Sequence, residues 1–560
     1  MGVAEVAAKR NAPHEKAVAR AAQSFYQHRM MLLFLLLGMA LRVWAYVRDT
    51  SLYLDEVLLS RNILDLPLSH LLTRPLMLDQ VAPRGFLLME RLAVLLFGPS
   101  EMALRLLPFG CSIASIVLFR RLAERMLTAT AAAIALFLFA IGVPFIRFGA
   151  EVKQYECDLL AAILLLLLTL NLVEHEASTK RLLTIGLVGF VVIWFSQASV
   201  LMMAGLGIGL AITWAGSRDA QTRRALLTTI PLWASASLLA VVVGFRSMTP
   251  STRQFMNEFW AGAFLPHPLQ WWNAASWTGS RFTELFSDPT LLRYRWPLAF
   301  VLLAALGIIT IWRRSRTAAC LLCGPPLVAL AAAVAHQYPW RGRLAFWMLP
   351  VAIIAVASAA DWVRSRASAL HPIAGAIVVS AILTPPVMAL AQAPPPYELE
   401  YHRAMLSYLQ QHRQAGDVIY VVQLQEVGTR FYGPQYGLQP SGWITGVCDA
   451  NDARSYLRDV DRFRGVARLW VLTGSGRPLG KVHDAVRNYL GTIGVRQDLK
   501  TFSSMTLGSV SIELYDLSDP THLGTTSAEK FSVPAMPRDP KIGCREWTNP
   551  EFDWHLDTPR

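Results

Sequence analysis

Apolar stretches of about twenty residues recur along the first 390 positions of the chain, most of them without a charged face. A soluble helix would break such a stretch with a polar position every turn, whereas a helix surrounded by lipid tails need not. The first two-thirds of the chain therefore reads as α-helical and membrane-spanning. Composition agrees, since 54% of the 560 residues are hydrophobic and 16% charged, against about 25% charged in soluble domains. Met30–Leu41 follows a charged N-terminal stretch with no small-residue cleavage pattern behind it, so it reads as a retained first helix.

The net charge of +13 is not spread over one face. Cations cluster between apolar runs, at Arg120, Arg121 and Arg125, at Lys180 and Arg181, at Arg218, Arg223 and Arg224, at Arg313, Arg314 and Arg316, and at Arg364 and Arg366. Cytoplasmic loops carry such clusters, and nucleic acid is excluded as a partner on that ground. Spans fall near Met30–Tyr46, Ala103–Phe119, Thr128–Ile146, Cys157–Val173, Ala225–Phe245, Trp296–Trp312, Ala318–Val334, Leu344–Ala360 and Pro372–Leu390. Leu182–Trp214 would be about 50 Å long as one helix, against a hydrocarbon core of about 30 Å. It reads as two spans with a turn near Ser196–Ser199. About eleven spans result, an odd number. Residues 1–29 are then cytoplasmic, and the C-terminal region lies outside with the loops 48–102 and 246–295. Those outer loops carry cations too, among them Arg61, Arg74, Arg84, Arg91, Arg253 and Arg293, more dilute than the inner clusters but unexplained by the rule. Within the first loop, Ala82–Gly98 is interrupted by Arg84, Glu90 and Arg91, and fits a helix lying at the membrane surface.

Beyond Ala393-Pro394-Pro395-Pro396 the pattern changes. Short apolar runs at Asp417–Val422, Arg468–Leu472 and Ser509–Tyr515 are separated by helix-like segments such as Tyr401–His412 and Val482–Leu490. This predicts a small α/β domain over 392–520, followed by a polar arm over 521–560. Cys111, Cys157, Cys320 and Cys323 lie in apolar segments and read as packing residues. Cys448 and Cys544 lie in the polar part, where an outside location would permit a disulfide between them.

Four polar constellations interrupt the membrane part. Ser51-Leu52-Tyr53-Leu54-Asp55-Glu56 follows the first span, and two adjacent acids at a membrane surface are costly unless solvated or used. They suit either the cap of a surface helix or catalysis, and the residues alone do not choose. Arg147-Phe148-Gly149-Ala150-Glu151-Val152-Lys153-Gln154-Tyr155-Glu156 marks the next outer turn, where a plain solvated loop is the simpler reading. Asp79-Gln80-Val81-Ala82-Pro83-Arg84 leads into the surface helix, and His336, Tyr338, Trp340, Arg341 and Arg343 mark a later outer turn. The aromatic loop with Phe259, Trp260, Trp271, Trp272 and Trp277 suits either sugar stacking or interfacial anchoring.

Three passages together resemble the GT-C superfamily of polytopic glycosyltransferases, nearest the branch of protein O-mannosyltransferases and lipid A aminoarabinose transferases. They are Leu54-Asp55-Glu56 after the first span, the run Ala82-Pro83-Arg84-Gly85-Phe86-Leu87-Leu88-Met89-Glu90-Arg91-Leu92, and Phe97-Gly98-Pro99-Ser100-Glu101 continuing to Arg105-Leu106-Leu107-Pro108. Glu151-Val152-Lys153-Gln154-Tyr155 resembles the Glu-x-Arg-x-Tyr passage of such proteins. The likeness covers about residues 30–175 and the later helices by architecture; Arg84 replaces the usual second proline and Lys153 the usual arginine. It implies an inverting enzyme of a bacterial cytoplasmic membrane, acting outside. Such an enzyme moves a sugar from a polyprenyl-phosphate donor to a hydroxyl of a glycan, lipid or protein. It implies Asp55 as general base, Arg84, Lys153, Arg341 and Arg343 as donor-phosphate ligands, and Glu56, Glu151 and Tyr155 positioning the acceptor or a divalent cation. No clear metal-ligand spacing accompanies them. A transporter or flippase of a lipid-linked substrate is the alternative; it predicts charges inside spans and paired repeats.

Overall fold

The computed structural model describes residues 27–175, 178–266, 270–449, 451–474, 480–504, 508–523 and 527–535. Helix α1 (Gln27–Val47) is the first span. It is followed by α2 (Leu54–Asp65), α3 (Leu68–Thr73), α4 (Arg84–Phe97) and α5 (Glu101–Leu104), none of which crosses. The bundle continues with α6 (Leu106–Met126), α7 (Ala129–Ile141), the short α8 (Val143–Arg147), α9 (Tyr155–Glu174), α10 (Thr179–Val192), α11 (Ser199–Ser217) and α12 (Ala220–Arg246). After α13 (Pro250–Phe259) and α14 (Trp271–Ser287) come α15 (Pro297–Arg314), α16 (Arg316–Val334), α17 (Leu349–Leu370) and α18 (Pro372–Gln392).

Among the described residues, nine helices are long and apolar enough to cross a membrane, and α7 with Val143–Ala150, bent by 56°, makes a tenth. The expectation of about eleven spans is corrected at α10. Its 14 residues make a rod of about 21 Å at 1.5 Å per residue, short of a core of about 30 Å. The break after α10 falls where the sequence places it. Ser196 donates to Asp158 Oδ1 at 2.6 Å, so an acid of α9 stitches the turn. Small residues bring the spans together: a Cβ on Gly205 of α11 would stand 2.3 Å from Pro325 of α16, and one on Gly324 would stand 2.2 Å from the Gly205 carbonyl. Such close backbone approach is how helices associate where no water drives them together.

The surface helix α4 is turned inside out relative to a soluble one. Glu90 is fully buried and Arg84 nearly so, while Arg91 donates to the Ile63 and Leu64 carbonyls, each at 2.7 Å. Leu95, Leu96 and Phe97 face outward. An apolar outer side over polar inner anchors suits a helix lying against lipid.

The C-terminal unit opens with α19 (His402–His412) and alternates β1 (Val418–Val421), α20 (Gln423–Tyr432), β2 (Ile444–Thr445), α21 (Ala453–Asp461), β3 (Leu469–Gly474) and α22 (Gly480–Ile493). It closes with β4 (Val495–Ser504), β5 (Gly508–Asp516) and α23 (Pro520–Leu523). The sheet order is β2-β1-β3-β5-β4, parallel across β2, β1 and β3 and antiparallel at β5 and β4. The expected runs become β1, β3 and β5. Strand β4 is absent from the sequence expectation, because it is an edge strand exposed along most of its length and lacks a buried alternation. One sheet face, with Ile419, Val421, Trp470 and Leu472, shares a core with α19, α20 and α2; the opposite face packs α21 and α22. Ala528 and Phe531, from the start of the expected arm, pack on the latter core, and 536–560 lie outside the described residues. Cys111, Cys157, Cys320 and Cys323 are free thiols. Cys448 is disulfide-bonded, and its expected partner Cys544 lies outside the described residues.

Candidate functional site

The site begins with the backbone of 51–54, which runs extended from α1 into α2. A helix start leaves amide groups without intrahelical acceptors, and here Glu398 and Glu400, just before α19, and Tyr432 of α20 hold most of the backbone of 51–54. The Ser51 hydroxyl donates to Glu398 at 2.8 Å, Leu52 N–H to the Tyr432 hydroxyl at 2.8 Å, and Leu54 N–H to Glu400 at 3.0 Å. His402 Nε2 stands 2.8 Å from the same Glu400 oxygen. The remaining amide, Tyr53 N–H, donates to Glu56 at 3.2 Å.

Glu56 is the hub of the frame. Its side chain is 2% exposed and paired with Arg105, which reaches both carboxylate oxygens at 3.1–3.2 Å. Glu56 also accepts Val152 N–H at 2.7 Å, which fixes the second outer loop to the first. With Tyr53, Arg105 and Val152 all on it, its oxygens are saturated. The expected role of Glu56 in positioning an acceptor or a metal therefore gives way to a structural one: it caps α2 and joins two loops.

Asp55, one residue earlier on α2, is the acid left over. Its side chain is 27% exposed and forms an ion pair with Arg343. Arg343 comes from the turn Gly342–Met348 that opens the α17 span. Gly342 permits the entry with φ +50°, where a Cβ would stand 3.2 Å from the Thr290 hydroxyl. The guanidinium lies over the rings of Tyr155 and Trp260, with centroids 5.7 and 5.9 Å away, and donates to the Tyr53 hydroxyl at 3.4 Å. Burial pushes the Asp55 carboxyl up, but the charges of Arg343 and Lys153 and the Arg343 hydrogen bond outweigh it and hold it below its usual range. Lys153 is buried, donates to Gln80 at 3.0 Å, and is pushed down to about 8 by that burial against the pull of Asp55. Glu151 accepts from Arg147 Nε at 2.6 Å and from the Tyr53 hydroxyl at 3.4 Å.

The structure thus brings together Asp55, Lys153, Arg343 and Tyr155, with Glu151 behind Tyr53. It does not bring Arg84 or Arg341 to them. Arg84 donates to the Leu71 carbonyl, to the Arg74 carbonyl at 2.7 Å and to Ser247 at 2.6 Å, so its donors tie α4 to the loops around it. Arg341 is exposed and lies beside Gly262, where an added Cβ would stand 3.1 Å from its guanidinium. Of the aromatic loop, Trp260 reaches the cluster through Arg343, Trp277 is buried in the bundle core, and Trp271 and Trp272 are exposed. Sequence reasoning gives no role to Arg105 or Tyr53, although both stand in passages it singles out, and passes over Glu398, Glu400 and Tyr432. The last three lie 346 to 380 residues from the backbone they hold, and no local pattern marks them.

Glu56 and Glu151 are each committed to an arginine, Asp55 stands among cations, and among the described residues no group of three or more His, Cys, Asp or Glu is placed to hold a metal ion.

No protein-family model and no curated protein matches the sequence. Among solved structures, the chain is similar to ArnT from Cupriavidus metallidurans in the apo state, at 13% identity and a TM-score of 0.46, over 90% of this chain and 100% of that one. It is similar to the archaeal oligosaccharyltransferase AglB from Archaeoglobus fulgidus, solved with an inhibitory peptide and a dolichol-phosphate, at 10% identity and a TM-score of 0.45, over 87% of this chain and 74% of that one. It is also similar to the arabinofuranosyltransferase AftD from Mycobacteria, at 16% identity and a TM-score of 0.41, over 89% of this chain and 40% of that one. At TM-scores below 0.5 these likenesses have no bearing on the chemistry of the site.

Proposed function

We propose that the chain is a membrane glycosyltransferase that moves a sugar, with inversion, from a polyprenyl-phosphate donor to an acceptor hydroxyl, with Asp55 as general base. The observation that carries this reading is the division of labour between two adjacent acids. Glu56 is sealed and saturated, while Asp55 is accessible and stands beside two cations, Arg343 and Lys153. The resemblance of residues 30–175 to the GT-C superfamily supports it.

The chemistry needs both signs of charge in one place. An acceptor hydroxyl is a poor nucleophile near neutral pH, and a carboxylate that takes its proton as the new bond forms lowers the barrier. Asp55 is ionised at neutral pH because its cations hold it so. As the acceptor oxygen bonds to the anomeric carbon, the carbon–oxygen bond to the lipid phosphate breaks, and the sugar carries oxocarbenium character between the two events. The departing phosphate takes the electron pair. In this reading Lys153 and Arg343 stabilise it, because preorganised cations in a site poor in water act strongly on developing charge. Glu151 orients Tyr53 and Tyr155 flanks Arg343, so both act as positioning residues. In a bacterial cytoplasmic membrane with the N-terminus inside, this site and the C-terminal domain would face outward.

The test is transfer of labelled sugar from polyprenyl-phosphate donors to membrane extract, comparing wild type with Asp55→Asn. Loss of a positioned base lowers the rate by about 10²–10⁴-fold, and the variant should remain folded. Undiminished transfer by Asp55→Asn would remove Asp55 from the mechanism.

A further inference from the structure

Behind Glu151, where the bundle meets the C-terminal unit, lies a cavity of about 50 Å³ lined in part by Arg147, Arg293, Tyr397 and Glu398. At about 10–15 Å³ for each water-sized probe, it has room for roughly four waters, and so for one small polar group and not for a sugar ring.

Two groups at this cavity are buried and without partners, Arg293 Nη1 and the Tyr397 hydroxyl. Native proteins rarely leave buried donors unsatisfied, and two at one cavity call for a common acceptor. The charges bordering the cavity are uneven. Arg147 is paired with Glu151. Glu398 accepts from the hydroxyl and the N–H of Ser51 at 2.8 and 3.4 Å. Among the described residues no carboxylate pairs with Arg293, and the charges acting on the Tyr397 hydroxyl are the guanidiniums of Arg147, Arg42 and Arg293. Water would satisfy the Arg293 N–H but leave its charge standing, whereas an anion answers both. Arg293 also holds a left-handed backbone, φ +57°, a conformation that an ordinary side chain keeps only where its surroundings impose it. Burial pushes the Tyr397 hydroxyl up, so it remains a protonated donor.

We propose that this cavity is an oxyanion site in which Arg293, with Arg147 and Tyr397, holds a single phosphate or carboxylate group beside the Asp55 cleft. It stands apart from the Lys153 and Arg343 pair, and it does not depend on the reading of Asp55 as a base.

The test uses the full chain in phosphatidylcholine nanodiscs, titrated with inorganic phosphate. Lys153→Met serves as the background, so that the cleft contributes less to binding. The Lys153→Met protein should bind phosphate, and adding Arg293→Gln should weaken that binding at least tenfold. Adding Arg293→Lys should leave it within about threefold, which separates lost charge from lost fold, and adding Tyr397→Phe should weaken it several-fold. A second arm replaces soluble phosphate with phosphatidic acid in the nanodisc and reads the thermal midpoint. A rise that Arg293→Gln abolishes assigns the group to a lipid headgroup, and a response to inorganic phosphate alone assigns it to a soluble anion. Equal phosphate binding with and without Arg293→Gln, or no response in either arm, overturns the proposal. Neither readout involves sugar transfer, so failure here is distinct from failure of Asp55 as the base.

Discussion

Lys153 offers the sharpest test of the proposed chemistry, because its burial places its titration inside the assayable range. Its ammonium is pushed down to about 8 by desolvation, with Asp55 pulling the other way. If the protonated form must meet the donor phosphate, activity follows the protonated fraction. That fraction is about 0.9 at pH 7, about 0.5 at pH 8 and about 0.1 at pH 9, by simple titration about a pKa near 8. Transfer efficiency, kcat/KM, should therefore fall about tenfold between pH 7 and pH 9. A sugar–lipid phosphodiester does not titrate in that range, and Asp55 is held low, so its limb lies on the acid side, where falling pH removes both the base and its ion pair. Lys153→Arg keeps the charge far above pH 9 and should flatten the alkaline limb even at a lower overall rate. The assay is initial-rate transfer in proteoliposomes across pH 5–10 for both proteins. An alkaline limb of the same midpoint in Lys153→Arg would refute Lys153 as its source, and a flat wild-type profile to pH 9 would refute the requirement for its proton.

Three further outcomes follow from the frame. Arg105→Met leaves the buried Glu56 carboxyl without its counter-ion, a loss worth about 3–5 kcal/mol, and thermal unfolding in nanodiscs should show it as a large drop that Arg105→Lys partly restores. Tyr432→Phe removes the acceptor of Leu52 N–H, which should cost about 1–3 kcal/mol and raise hydrogen exchange at 51–54 before the rest of α2. Gly205→Val drives a side chain into Pro325, 2.3 Å from where its Cβ would stand; it should part α11 from α16, read as a lowered melting temperature, while Gly216→Ala, with nothing within 4 Å, should not.

The membrane part is legible in the sequence wherever a single segment carries its own signal. Nine spans and the bent tenth follow apolar length, and the surface helix α4 announces itself by charges too frequent for a span. The eleventh fails although the turn is foreseen, because α10 ends after 14 residues, a length that apolar composition up to the turn does not reveal. The site is legible to the same limit. Asp55, Glu151, Lys153 and Arg343 are each marked by polarity at the end of an apolar run. Which of two adjacent acids is free stays invisible, because Arg105 and Val152 decide it from 49 and 96 residues away. Arg84 misleads because a lone cation beside an outer helix looks the same whether it faces a ligand or backbone carbonyls.

In the proposed reading, Glu56 and Asp55 divide the cap and the catalyst between them. Glu56 does the capping, and doing so with its carboxylate turned inward leaves Asp55, about 100° further round a helix of 3.6 residues per turn, facing the cleft. The two roles are not independent. The turn into α2 is held on one side by Glu56 with Arg105 and on the other by Glu398, Glu400 and Tyr432. Asp55 can therefore keep its aim only while the C-terminal unit is docked. The membrane part alone supplies Lys153, Arg343 and, through Glu56, the acceptor of Tyr53 N–H, but not the acceptors of the Leu52 and Leu54 amides. A buried amide without an acceptor is costly enough to shift the turn. The C-terminal unit is thus part of the frame of the site, and loss of its docking would disable Asp55 without touching any residue in the cleft.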